Sequence, residues 1–135
     1  MDNKRLVLEY RAMMERWPAL HPVFCRSKAG DRLWWEVTLQ AENGNTLPLK
    51  IVFPEDYPAS PPDIVICEQM PPNTPHVLPG NRMCWRYPDE QKRSRNMWSP
   101  SRDTAAMCVS VAQKWFYAFL VWISIREWPV PDALV

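Results

Sequence analysis

The sequence predicts an α+β fold: an N-terminal helix, a four-stranded antiparallel meander, a long proline-stiffened loop and a second helix near the C-terminus. Three observations predict it. Apolar residues recur at helical spacing over the first seventeen positions, alternate with period two between Leu33 and Phe53, and return to helical spacing after Thr104. Ten of the fifteen prolines lie between Pro54 and Pro100, which marks a long irregular excursion between the strands and the last helix. Connections between the alternating runs are too short for parallel crossovers.

In the first helix, Leu6, Tyr10, Met13, Met14 and Trp17 share one stripe, while Lys4, Arg5, Glu9, Arg11, Glu15 and Arg16 are assigned to the surface. Asp2 is placed to cap it and Pro18 to end it. A short strand is expected at Pro22–Arg26, before the turn at Lys28-Ala29-Gly30-Asp31. Leu33, Trp35, Val37 and Leu39 then alternate with Trp34, Glu36, Thr38 and Gln40, so one face of the strand is buried. Asn43-Gly44 signals a hairpin turn, after which Leu47, Leu49, Ile51 and Phe53 resume the alternation. A fourth strand is expected at Asp63–Cys67. The last helix is expected to start near Asp103 or Thr104, with Ala105, Cys108, Val109, Ala112, Phe116, Phe119, Leu120 and Ile123 as its core stripe, widened by Trp115 and Trp122.

Composition excludes several functions. At 135 residues, the chain is read as one domain over residues 1–135. Eight tryptophans predict a heavily aromatic core, and three glycines leave no way to write a phosphate-cradling glycine loop. Sixteen basic residues against fifteen acidic ones give a net charge of +1, so no nucleic-acid or membrane partner is expected. The four cysteines form no CxxC and there are two histidines, so neither a metal nor a cofactor is expected. The four thiols would suit two disulfides in a secreted protein. The charged start Met-Asp-Asn-Lys-Arg lacks an apolar signal region and favours a reduced, cytoplasmic protein. Ala105 to Ile123 has the length of a short membrane span, but Ser110, Gln113 and Lys114 in its middle favour a buried helix.

Chemistry is therefore local, and it centres on a thiol. Cys108 falls on an apolar helix stripe, Cys67 ends a strand and Cys25 sits in an edge strand, contexts in which cysteine acts as a small hydrophobe. Cys84 lies in the proline-rich excursion with Arg82 and Arg86 two residues to either side. In an extended segment all three would share a face, each guanidinium about 7 Å from the thiol along the strand. At that distance each favours the thiolate by roughly 0.6–2.4 kcal/mol, for an effective dielectric between about 80 and 20. The alternative is that both arginines bend into solvent and the thiol is ordinary. His76, eight residues earlier, is the histidine near enough in sequence to act with it. A thiol protease would further need an orienting Asn or Asp and an oxyanion hole, which no motif specifies.

The run Leu49-Lys50-Ile51-Val52-Phe53-Pro54-Glu55-Asp56-Tyr57-Pro58-Ala59-Ser60-Pro61-Pro62 resembles the strand-and-proline signature of the ubiquitin-conjugating enzyme (E2) family. Thr74-Pro75-His76 sits where that family carries His-Pro-Asn, with the same eight-residue step from its last residue to the cysteine. Gly80 and Met83-Cys84 resemble the end of the active-site loop, and Trp98-Ser99-Pro100 precedes a long helix as in the family. The resemblance spans about residues 1–123. His76 replaces the family asparagine, the stretch from Cys84 to Trp98 is longer than in eukaryotic members, and little chain follows Trp128-Pro129, which implies a version truncated before the family's last two helices. The loop and the Trp128 to Ala133 ending look like bacterial E2-like proteins of ubiquitin-like conjugation operons and anti-phage (CBASS-type) operons.

This resemblance implies a carrier enzyme. Cys84 would accept an activated C-terminal carboxyl as a thioester and pass it to a lysine amine, with His76 supporting the loop, donating to the oxyanion, or both. The implied partners are an E1-like adenylating enzyme, a ubiquitin-like protein or the C-terminus of a cGAS-like nucleotidyltransferase, and an acceptor protein lysine. Lys92, Arg93 and Arg95 would help dock the carried polypeptide. Asp89 and Glu90 are near in sequence, but no general base is assigned. The loops at Pro61-Pro62 and Ser99-Pro100 would face partners, and Ala59 stands where a partner-contacting phenylalanine is common. The alternative is an E2-like binding module that keeps the fold without thiol chemistry.

Overall fold

The computed structural model describes residues 1–85 and 98–129. In chain order it contains α1 (Asn3–Arg16), a 3-10 turn (Pro18–Leu20), β1 (Val23–Arg26), β2 (Leu33–Gln40), β3 (Thr46–Val52), β4 (Asp63–Ile66), β5 (Val77–Leu78), β6 (Arg82–Met83) and α2 (Ala106–Ile125). The strands form one antiparallel sheet in the order β1-β2-β3-β4-β6-β5. The meander of four strands is as expected, but among the described residues the sheet has six. The proline-rich excursion contributes a two-residue hairpin, β5–β6, which is too short to leave a periodic signal.

Alternation buries one sheet face. Trp35, Val37 and Leu39 of β2 are buried and stand beside Leu47, Leu49 and Ile51 of β3, in register with Ile64 and Ile66 of β4. Val109, Ala112, Trp115, Phe116 and Phe119 of α2 join the same cluster, so the one helix among the described residues that is long and apolar enough to cross a membrane is a core helix here. Pro48 lies inside β3, an unusual place for a residue with no N–H. Its carbonyl accepts from Cys67 N–H at 2.9 Å, so the missing donor faces the same side, where β4 has already ended.

The register of α1 differs from the expected stripe. Asp2 caps it, accepting from Arg5 N–H at 2.8 Å. However, Glu9 is fully buried and Tyr10, expected inside, is 54% exposed. Glu9 sits three residues after Leu6 and four before Met13, hence on the buried face. Its Oε2 accepts from Arg5 Nε at 2.9 Å and from the Tyr57 hydroxyl at 2.5 Å, while Oε1 accepts from Ala105 N–H at 2.8 Å. Neither Asp103 nor Thr104, the residues at its expected start, caps α2 through a side chain; the Glu9 carboxylate instead takes the N–H of the N-cap residue Ala105, at the positive end of the helix dipole. Asp103 instead accepts from Ser99 N–H at 2.8 Å. At the other end of α2, Arg126 is left-handed (φ 60°), with its N–H on Trp122 O at 2.7 Å, and Ile123, expected in the core, is 42% exposed.

Candidate active site around Cys84

The β5–β6 hairpin places Cys84. Its turn runs through Gly80 (φ 82°) and Asn81 (φ 58°), and the Asn81 side chain donates to Ile66 O at 3.2 Å and Glu68 O at 2.9 Å. These bonds, with Ile66 N–H on Asn81 O at 2.8 Å, fasten the hairpin to the end of β4. From β6 onward the residues alternate. Met83 (2% exposed) and Trp85 (1%) are sunk into the core, while Arg82 and Cys84 face outward and are half-buried. Two buried neighbours thus anchor the backbone on either side of the half-buried Cys84.

His76 holds the other side of this segment. Its carbonyl accepts from Cys84 N–H at 2.9 Å and from the Trp115 indole N–H at 3.3 Å. Its backbone is left-handed (φ 58°), and its ring lies 4.9 Å from that of Trp128. His76 and Cys84, paired by spacing in the sequence, meet here through a backbone hydrogen bond. The guanidinium of Arg82 donates from Nε to Pro79 O at 3.0 Å and pairs with Asp63 at 3.8 Å, so its charge is shared with a carboxylate. Arg86, Asp89, Glu90, Lys92, Arg93 and Arg95 lie outside the described residues, as does the ending after Pro129.

The remaining thiols occupy the expected contexts. Cys108 is buried in α2, Cys25 is half-buried in β1, Cys67 is exposed just after β4, and none of the four cysteines is joined in a disulfide. Burial pushes the Cys25 thiol up, with the Glu36 carboxylate adding to it, and burial likewise pushes Cys67 up. His21 is exposed, in the link before β1. Among the described residues, no three His, Cys, Asp or Glu side chains gather as a metal site. Two shallow, largely apolar grooves flank α1, one along Leu6, Val7, Tyr10, Met14 and Phe24, the other along Val7, Leu8 and Ala12; neither includes Cys84.

Of the loops expected to face partners, Ala59 and Pro100 are exposed, Pro61 and Ser99 half-buried, and Pro62 is buried, a correction to its expected role. Pro62 directly precedes β4 and is drawn in with it. The two loops are tied together, since Trp98 Nε1 donates to Pro58 O at 2.8 Å and its ring lies 5.7 Å from Tyr57. Sequence reasoning missed Arg5, Glu9 and Tyr57 as the lock behind these loops. A carboxylate on the apolar stripe of α1 was the available signal.

No curated protein sequence matches the chain. The structure solved as a complex of the Vps23 UEV with ubiquitin is similar to it, with a TM-score of 0.54 and 16% identity over 95% of this chain and 85% of that one. At that identity the likeness establishes the shared, E2-like fold. The model of the family described as type II CBASS E2 protein matches residues 9–134, nearly the whole chain, and includes the Cys84 hairpin, His76 and α2. The chain therefore belongs to the type II CBASS E2 family, the E2-like proteins of CBASS anti-phage operons.

Proposed function

We propose that this protein is an E2-like conjugating enzyme of bacterial anti-phage defence, and that Cys84 carries an activated C-terminal carboxyl as a thioester. The observation that supports this reading most is the position of Cys84: half-buried rather than sealed, on a hairpin anchored by Met83 and Trp85, with its amide held by the His76 carbonyl. The Cys84 thiolate attacks the acyl carbon of an acyl-adenylate or of a partner's thioester. A C–S bond forms as AMP or the partner's thiolate leaves. A lysine amine then attacks the same carbon, the C–N bond forms, the Cys84 thiolate departs, and the nitrogen releases a proton to solvent or to a base. A thioester suits both steps, because it retains activation while staying open to an amine. His76 supports the loop through its carbonyl, and its ring is the candidate donor to the developing oxyanion.

The partners under this reading are an E1-like adenylating enzyme, a ubiquitin-like protein or the C-terminus of a cGAS-like nucleotidyltransferase, and an acceptor lysine, all in the cytoplasm. The test is incubation with the E1-like partner and candidate modifier, resolved with and without reductant. A reductant-sensitive adduct that vanishes in Cys84→Ala supports the enzyme. A second reading, a binding module, is favoured by one observation: the fold is shared with a UEV captured in complex with ubiquitin. It predicts retained binding of the modifier with no adduct.

A further inference from the structure

The segment after α2 does more than close the domain. The left-handed Arg126 turns the chain back, and Trp128 returns to lie 4.9 Å from the His76 ring and 5.7 Å from Trp115. Trp115 is fully buried, stacks at 5.2 Å on Phe119 with the planes 10° apart, and directs its indole N–H to the His76 carbonyl. That carbonyl also receives the Cys84 amide. One residue of the active-site loop is thus gripped twice by the C-terminal helix and its return: at the carbonyl by Trp115 and at the imidazole by Trp128. The grip is needed because His76 has a left-handed backbone, a conformation that costs a non-glycine residue about 1 kcal/mol or more and persists only where neighbours impose it.

We propose that Trp128, backed by Trp115, is a positioning residue: it holds the His76 ring in the orientation used during acyl transfer from Cys84. The proposal rests on the thioester reading above. Trp128 itself touches no reacting atom under this scheme. Without Trp128 the imidazole loses the ring packed 4.9 Å from it, and a displacement on the order of 1 Å costs up to roughly a hundredfold in rate.

The experiment measures discharge of preformed thioester to free lysine for wild type, Trp128→Ala, Trp128→Phe, His76→Ala and the His76→Ala/Trp128→Ala double variant, each corrected for its folded fraction from urea titration. Trp128→Ala is expected to slow discharge roughly tenfold or more while adduct loading at saturating partner is retained. Trp128→Phe, which keeps a ring against the imidazole, restores the rate towards wild type. In the His76→Ala background, Trp128→Ala has no further effect. Unchanged discharge in Trp128→Ala, or the same loss with and without His76, overturns the proposal. If wild type forms no adduct, the thioester reading has failed, and the clamp is judged by NMR. The His76 Cε1–H resonance carries a ring-current shift that Trp128→Ala abolishes; an unshifted resonance in wild type, or an unchanged one in the variant, overturns it.

Discussion

Replacing Glu9 by alanine is expected to be among the most damaging single changes in α1, although sequence patterning places this residue on the surface. Its carboxylate is fully buried and accepts three hydrogen bonds, from Arg5, Tyr57 and Ala105. Losing one partner of a buried ion pair costs about 3–5 kcal/mol. Two facts place this site near the lower end. Arg5 keeps bonds to Pro100 O at 2.9 Å and Asp103 O at 2.5 Å, and its side chain is 14% exposed. Against that, the amide of Ala105 loses its acceptor inside the core, and a buried donor left without one costs about 1 kcal/mol or more. Glu9→Ala is therefore expected to lower stability by about 3 kcal/mol, and Glu9→Gln by about 2 kcal/mol, since the amide oxygen still serves Ala105 while its NH2 faces the Arg5 donor. Urea titration followed by tryptophan fluorescence measures both as midpoint shifts at constant slope. Glu15→Ala, on the exposed side, is the control and should stay within about 0.5 kcal/mol. A Glu9→Ala loss below about 1 kcal/mol would refute the assignment of Glu9 as the lock between α1, Tyr57 and α2.

Alkaline pH tests the same lock from the Tyr57 side. Burial first, and the neighbouring Glu9 carboxylate second, push the Tyr57 phenol well above its ordinary value. Between the unfolded and folded values the native state holds a proton the unfolded state has released, so stability falls as pH rises from about 10. Cys25 and Cys67, also pushed up, add a loss beginning near pH 9. The slope difference between wild type and Tyr57→Phe from pH 9.5 to 11.5 isolates the phenol, and identical slopes would contradict the burial argument. Gly80→Ala probes the hairpin turn. A Cβ there meets nothing within 4 Å, but φ is 82°. The expected cost is about 1 kcal/mol, all of it conformational. Gly80→Asn should recover much of it, because asparagine tolerates that backbone; equal losses for both would point to a contact instead.

Much of the scaffold was legible because its signals are local. Of the alternation Leu33-Trp35-Val37-Leu39 and Leu47-Leu49-Ile51-Phe53, every residue but the half-buried Leu33 is buried. Asn43-Gly44 marks the turn between β2 and β3, and Asp2 caps α1 as expected. Motif order from Phe53-Pro54 to Cys84 and Trp98 pointed to the family whose model matches residues 9–134. Legibility failed where partners are distant in sequence. Glu9 reads as solvated until a phenol 48 residues away and an amide 96 residues away meet it. By spacing alone Arg82 is directed at the thiol; in the structure it pairs with Asp63.

By itself, the amino-acid order determined the helices and the meander, because periodicity and turn chemistry act over a few residues, and it singled out Cys84 among the four thiols. Only the tertiary structure decided how Cys84 is presented. Three separate pieces of chain converge on it: a hairpin hung from β4, a left-handed histidine whose carbonyl takes the Cys84 amide, and two tryptophans from α2 and its return. No local pattern encodes such a meeting. It arises when the sheet and α2 bury a common core and thereby bring residues far apart in the chain within hydrogen-bonding distance.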